Sequence, residues 1–166
     1  DNPAAHALVD IIRKSKEAAM VWFGADGGQV FAGESGTELL FRLVRTAVAG
    51  TEGGVLIGST VEHPATRSAM GHWAEKLGRD YRLVAHDDAL GLVTAGAYAA
   101  TVTPDTKVAT ILHTSPVTGI GNDVPAIVSA IRAVAPGQRV SATGMTLFLK
   151  QNRVILNKNV QVTYQP

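Results

Sequence analysis

Gly33-Glu34-Ser35-Gly36-Thr37-Glu38 leads without a break into Leu39-Leu40-Phe41-Arg42-Leu43-Val44-Arg45-Thr46-Ala47-Val48-Ala49-Gly50. Small residues open the stretch, an amphipathic run follows, and a glycine closes it. The pattern predicts a loop capping a helix, with Ser35 or Thr37 near the N-cap and Gly50 in the left-handed position after the last turn. A helix start carries backbone N–H groups without intrahelical partners at the positive end of the macrodipole, and together these can hold a phosphate. On its own the stretch reads as an ordinary capped helix. The rest of the chain turns the reading towards an anion site.

Downstream of Gly50, Val55-Leu56-Ile57-Gly58-Ser59-Thr60 is short, continuously apolar and bounded by small residues, as a buried strand is. Val61-Glu62-His63 follows, and Pro64 suits the first turn of a helix that runs to Gly78. Tyr81 to His86 forms the next predicted strand, with Asp87-Asp88 as a solvated turn. The alanine-rich segment 92–102 is helical, 103–106 turns, and 108–112 is a strand. His113-Thr114-Ser115-Pro116-Val117-Thr118-Gly119 comes next. A helix over 124–135 ends at Pro136-Gly137, and a further strand starts at Arg139-Val140. Upstream, the apolar spacing of 4–20 predicts a surface helix, Gly24 to Gly28 a turn, and 29–32 a short strand. Strands alternating with helices predict an α/β architecture: a mostly parallel sheet covered by helices on both faces, in three layers. Ligands gather beyond the carboxyl ends of such strands.

Composition narrows the function classes. The 166 residues are 46% hydrophobic and 17% charged, which describes a buried globular chain. A net charge of +1 and 5% aromatics argue against a nucleic-acid partner. Absence of cysteine excludes disulfides and thiolate metal sites. No apolar run reaches membrane-spanning length and no signal peptide opens the chain, so a cytoplasmic protein is expected. His63, His86 and His113 fall at predicted strand ends but lack ligand spacing, and no metal is expected. P-loop, nucleophile-elbow and dinucleotide fingerprints are absent.

The order of motifs resembles a known family. "S-G-T-E" at a helix start, "E-H-P" after one strand and "S-P-V-T-G" after another follow the large domain of class V aminotransferases. These are fold-type I pyridoxal 5′-phosphate enzymes that include cysteine desulfurases. The resemblance covers about 31–140. It implies that Ser35, Gly36 and Thr37 hold the cofactor phosphate, that His63 stacks on the pyridine ring, and that the Thr118 loop approaches ring and substrate. Relatives carry an asparagine where this chain has Pro116, which offers no side-chain hydrogen bond. The family acts on amino acids through an aldimine and is commonly homodimeric.

After Val140 the pattern departs. The family has a strand ending in an aspartate that pairs with the ring nitrogen, and later the Schiff-base lysine. Here no carboxylate follows Asp123, and Lys150 and Lys158 are the remaining lysines. Lys150 is a weak catalytic candidate, better read as a surface lysine. The expected organisation is therefore a partial α/β domain over 1–140 and a divergent tail over 141–166. In that tail 154–156 and 160–164 form two strands around Asn157-Lys158-Asn159, or the segment is disordered. The implied activity is a transferase truncated before its aspartate and lysine, inactive alone. The alternative is a non-catalytic phosphate- or cofactor-binding fragment that needs a partner chain.

Overall fold

The structure is a computed structural model that describes residues 2–22, 24 and 29–135, together with the backbone of 145–148 and 153–156. The elements run α1 (Pro3–Trp22), α2 (Gly36–Ala49), β1 (Val55–Ser59), α3 (Pro64–Lys76), β2 (Tyr81–Val84), α4 (Ala95–Thr101), β3 (Thr106–Ala109), α5 (Val124–Val134), β4 (Met145–Phe148) and β5 (Arg153–Leu156). The first three strands make a parallel sheet in the order β2-β1-β3. β1 is buried along its whole length, as a central strand must be to read as a continuous apolar run.

The order 2-1-3 has a consequence for the helices. The crossover from β1 through α3 moves one way along the sheet, and the crossover from β2 through α4 moves back past β1. Right-handed crossovers in opposite directions put their helices on opposite faces. The cores agree. Leu56 points to a cluster with Val44 and Val48 of α2 and Ala69, Met70 and Ala74 of α3. Val55 and Ile57 point to the other face, where Tyr98 and Val102 of α4 and Ile127 and Ile131 of α5 complete a larger cluster. The α/β layering read from the sequence is what the chain adopts.

Local signals account for most element boundaries. Ser35 is the N-cap of α2, its hydroxyl accepting the Glu38 amide at 3.1 Å. Pro64 opens α3, Thr94 caps α4 and Asp123 caps α5. Several expectations are corrected. Gly50 is not left-handed: its φ is −77°, and its amide bonds the Thr46 carbonyl as an ordinary last turn. Residues 29–32 form no strand, and α1 extends through Val21 and Trp22. The helix expected from Leu92 starts at Ala95, because Leu92 instead bonds Asp87 across a tight loop. β3 begins at Thr106 and ends at Ala109 rather than spanning 108–112. In the tail β4 pairs antiparallel with β5, from Met145↔Leu156 to Phe148↔Arg153, so the paired strands flank 149–152 instead of Asn157 to Asn159. The second expected tail strand, over 160–164, lies outside the described residues. So do most of the expected 24–28 turn and the strand expected from Arg139.

Candidate functional site at the carboxyl edge of the sheet

α2 immediately precedes β1 and α3 immediately follows it, on the same face. α2 therefore runs antiparallel to β1, with its carboxyl end beside the start of the strand. Its 14 residues span about 21 Å, enough to carry its N-terminus back past the carboxyl end of the five-residue strand. Ser35, Gly36 and Thr37 thus lie on the edge and face of the sheet from which α3 starts at His63 and Pro64. The loop after β3, which contains Thr118, emerges at the same edge. Strand order reverses about β1 here, the topological position where open α/β sheets keep their ligands.

At the α2 start, Ser35 takes the Glu38 amide and the Leu39 amide bonds the Ser35 carbonyl. The first two amides, those of Gly36 and Thr37, are left without carbonyl partners by helix geometry. Glu38 lies in the same turn, and Arg42 four residues on forms an ion pair with it that offsets its charge. The Thr37 hydroxyl lies beside the two free amides in sequence, so one anionic group can meet all three donors.

His63 has a structural task as N-cap of α3. Its Nδ1 accepts the Ala65 amide at 3.1 Å. Accepting through Nδ1 requires the lone pair there, which assigns the neutral ring its proton at Nε2. That bond lies in the ring plane. It fixes the orientation of the imidazole.

The loop after β3 is attached to the loop after β1. Ser115, itself buried, donates its hydroxyl to the Val61 carbonyl at 2.9 Å and accepts the amides of Val117 at 3.1 Å and Thr118 at 3.3 Å. Asn122 closes the loop's base, donating to the Leu112 carbonyl at 2.7 Å and accepting the Val93 amide at 2.8 Å. Thr118 is turned towards the neighbouring 87–92 loop: a Cβ built at Gly91 would lie 3.5 Å from the Thr118 Cβ. Its hydroxyl accepts the Ile120 amide at 3.4 Å. β1 and β2 are joined at the same level. The Thr60 hydroxyl contacts His86 Nδ1 at 2.8 Å and accepts the His86 amide at 3.1 Å, while His86 Nε2 meets Asp88 at 3.2 Å.

Beneath these loops is a group of buried polar side chains that the pattern of letters did not reveal. Glu62 is 2% exposed. One of its carboxyl oxygens has no hydrogen-bond partner, and the nearby Thr110 hydroxyl donates to the Ile57 carbonyl at 3.5 Å. Burial pushes Glu62 up to about 7, and the nearby Thr110 hydroxyl opposes the rise only in part. The Tyr81 hydroxyl is also buried and unpartnered, and burial beside Glu62 raises it to about 12. Tyr98 donates to the Thr110 carbonyl at 2.8 Å and is raised further by the same causes. Gly58 makes room for this packing, since a Cβ there would lie 2.6 Å from the Tyr81 hydroxyl. Ser115 and Glu62 each stood inside a quoted motif, but only as letters beside His63 and Thr118. The available signal was a charged residue between a buried strand and a helix-opening proline.

His63, His86 and His113 do not converge. The first caps α3, the second bonds Thr60, and the third bonds Thr114. Lys150 lies outside the described residues. The described lysines are Lys14 and Lys16 of α1, Lys76, which ends α3 at the opposite edge, and Lys107, which pairs with Asp105 at the start of β3.

The model of the family "Aminotransferase class-V" matches residues 3–140. No curated protein sequence matches the chain. Among solved structures, DndA from Streptomyces lividans is similar with a TM-score of 0.64 and 18% identity, over 81% of this chain and 38% of its own. A cysteine desulfurase from Thermococcus onnurineus NA1, solved in its apo form, gives 0.63 and 16% over 72% and 30%. A NifS-like protein gives 0.59 and 20% over 68% and 31%. The chain spans about a third of the length of these structures, and at such identities the likeness is one of fold.

Proposed function

We propose, for a chain that belongs to the class-V aminotransferase family, that the carboxyl edge holds pyridoxal 5′-phosphate at the start of α2. That group is the cofactor of the family. The observation that carries the reading is the pairing of two unsatisfied amides, at Gly36 and Thr37, with an imidazole fixed on the same edge and face of the sheet. The residues present fit the phosphate end of the cofactor. Gly36 and Thr37 bind the phosphate through their amides and the Thr37 hydroxyl, while Ser35 keeps the turn in register by holding the Glu38 amide. His63 lies over the ring, its plane set by the Ala65 bond. Ser115 holds the Thr118 loop against the turn that carries His63.

When bound, the cofactor supplies an electron sink for bond breaking at the α-carbon of an amino acid. We infer an amino-acid substrate and a transferase working as a cytoplasmic homodimer. The α/β domain is assigned to 1–140 and the divergent tail to 141–166.

The test is equilibrium binding of pyridoxal 5′-phosphate to the full chain, read by dialysis and by tryptophan quenching. Thr37→Ala is expected to weaken binding about tenfold, the value of one hydrogen bond to a charged group. Borohydride reduction followed by peptide mass spectrometry locates any lysine bonded to the cofactor, and sedimentation reads the dimer. Absence of binding by the unaltered chain, or equal binding by Thr37→Ala, overturns the phosphate site.

A further inference from the structure

The buried acid next to His63 is the polar group for which the site has no evident use. Glu62 occupies the turn between β1 and α3, with its amide bonded to the Ser59 carbonyl at 3.3 Å. Its side chain passes under the sheet's carboxyl edge instead of out to solvent. Around it stand Tyr81 from β2, Tyr98 from α4 and Thr110 following β3. Arg67 of α3 is exposed and donates to the Thr60 carbonyl at 3.4 Å, and its charge acts on Tyr81. From the loop after β2, His86 contacts the Thr60 hydroxyl at 2.8 Å and meets Asp88 at 3.2 Å, so both groups touch the turn beside the acid. No ion pair is formed by Glu62 among the described residues. One carboxyl oxygen is unpartnered, and so is the Tyr81 hydroxyl.

Such an environment accepts a neutral acid and rejects an anion. A protonated carboxyl carries its own donor and needs one acceptor. An ionised one buried without a cation or a set of donors is costly. The shortest relief is local, because Glu62 sits on a turn of a few residues between β1 and α3. Opening that turn exposes the carboxylate. The same opening displaces the residue that follows it, and that residue is His63.

We propose that Glu62 is a positioning residue for His63: its neutral carboxyl clamps the β1–α3 turn, and loss of the proton releases the turn together with the imidazole. The clamp exists in the free chain. Its consequence for a ligand rests on the cofactor reading above, so the two are tested apart. Burial already places the acid's titration near neutrality, at about 7, within the range where a cell's pH changes its charge.

The first readout needs no ligand. Infrared difference spectra of the full chain are expected to show a protonated-carboxyl carbonyl band at about pH 6 that is gone by about pH 8 and is absent in Glu62→Gln. Amide hydrogen exchange, corrected for intrinsic rates, is read at Thr60, which bonds the Val84 carbonyl, and at Ala65, which bonds His63. Both amides are expected to exchange about tenfold faster at the higher pH in the unaltered chain, and at nearly equal rates in Glu62→Gln. His63→Asn removes the imidazole while keeping a capping side chain. The step at Thr60 persists in it if Glu62 is the cause. A flat profile in the unaltered chain, or a step that disappears in His63→Asn, overturns the proposal even if Glu62→Gln does not fold. The second readout is pyridoxal 5′-phosphate affinity, expected to fall about threefold more between those pH values in the unaltered chain than in Glu62→Gln. Equal falls in both refute the link between clamp and ligand. If nothing binds at the lower pH the cofactor reading fails, and the exchange profile still decides the role of Glu62.

Discussion

The two edges of the sheet handle buried polarity in opposite ways. At the amino edge, Arg79 gathers the loose ends: its guanidinium donates to the Val48 carbonyl at 3.0 Å, to the Thr51 hydroxyl at 2.9 Å and carbonyl at 3.3 Å, and to the Gly54 carbonyl at 3.4 Å. A cation thereby completes the carboxyl end of α2 and the approach to β1. One nitrogen is left unpartnered, the small residue of an otherwise closed network. At the carboxyl edge the buried group is an acid, and it has neither a cation nor a full set of donors. Fold maintenance at one end tolerates strong bonds that never change. At the other end the same sheet keeps a group whose charge is conditional, beside the residues proposed to hold the cofactor.

The largest effect expected from this contrast is on stability against pH. The folded state raises the Glu62 carboxyl from 4.5 to about 7. It therefore holds the proton more tightly than the unfolded chain does. The stabilisation is complete below about 4.5, declines as pH rises through about 7, and is lost above it, a change of about 3 kcal/mol at most. Urea denaturation across that window is expected to show Glu62→Gln with a flatter profile and greater stability than the unaltered chain on the alkaline side. Parallel profiles would mean that Glu62 is solvated, and the contrast between the edges would collapse.

Next in size is the amino edge itself. Arg79→Ala deletes donors to several carbonyls at once, and partial exposure reduces the loss, leaving an expected cost of about 2 kcal/mol. This cost should not vary between pH 5 and 8, roughly the range in which neither arginine nor its carbonyl partners titrate. Arg79→Lys, with a point charge in place of the planar fork, should recover less than half of it. Denaturation midpoints at the two pH values measure both. A pH-dependent cost would show that this end, too, contains a conditional group.

Arg79 also explains where the sequence was mute. Ser35, Pro64 and Asp123 act within a few residues of themselves, and the helix starts they set were legible, whereas Thr94 caps α4 later than the start expected at Leu92. Gly50 looked like a left-handed terminus because glycine commonly ends a helix that way. The carbonyls such a terminus would satisfy are instead met by Thr51 and by Arg79, which lies 31 residues from Val48. Continuous apolarity identified β1 as buried, and alternation with helices gave the layered sheet. The motif order pointed to the family, and connectivity then brought Ser35, Gly36, Thr37 and His63 to one edge. The depth of Glu62 had no such signature. A glutamate before a helix-opening proline reads as solvated, and only the packing of Tyr81, Tyr98 and Thr110 from three other segments encloses it. In the tail, Asn157-Lys158-Asn159 has turn chemistry, yet the observed pairing uses Met145–Phe148, a run with no polar alternation to announce it.

The smallest expected effect separates the two helix starts of the carboxyl edge. Ser35 and His63 both cap, with similar distances of 3.1 Å to an amide. Serine is a strong N-cap residue, and Ser35→Ala should cost about 1 kcal/mol. Histidine is absent from the favoured capping residues, and an imidazole held in a cap spends rotamer freedom for one neutral bond. His63→Asn should therefore cost nothing or slightly stabilise the chain, while weakening pyridoxal 5′-phosphate binding through loss of the ring face. Thermal denaturation with and without the cofactor distinguishes the cases. If His63→Asn destabilises the free chain as much as Ser35→Ala does, the imidazole is there for the helix, and the stacking role must be withdrawn. If the free chain is indifferent and only the cofactor-bound chain loses stability, a residue poorly suited to capping is kept at this edge for its ring.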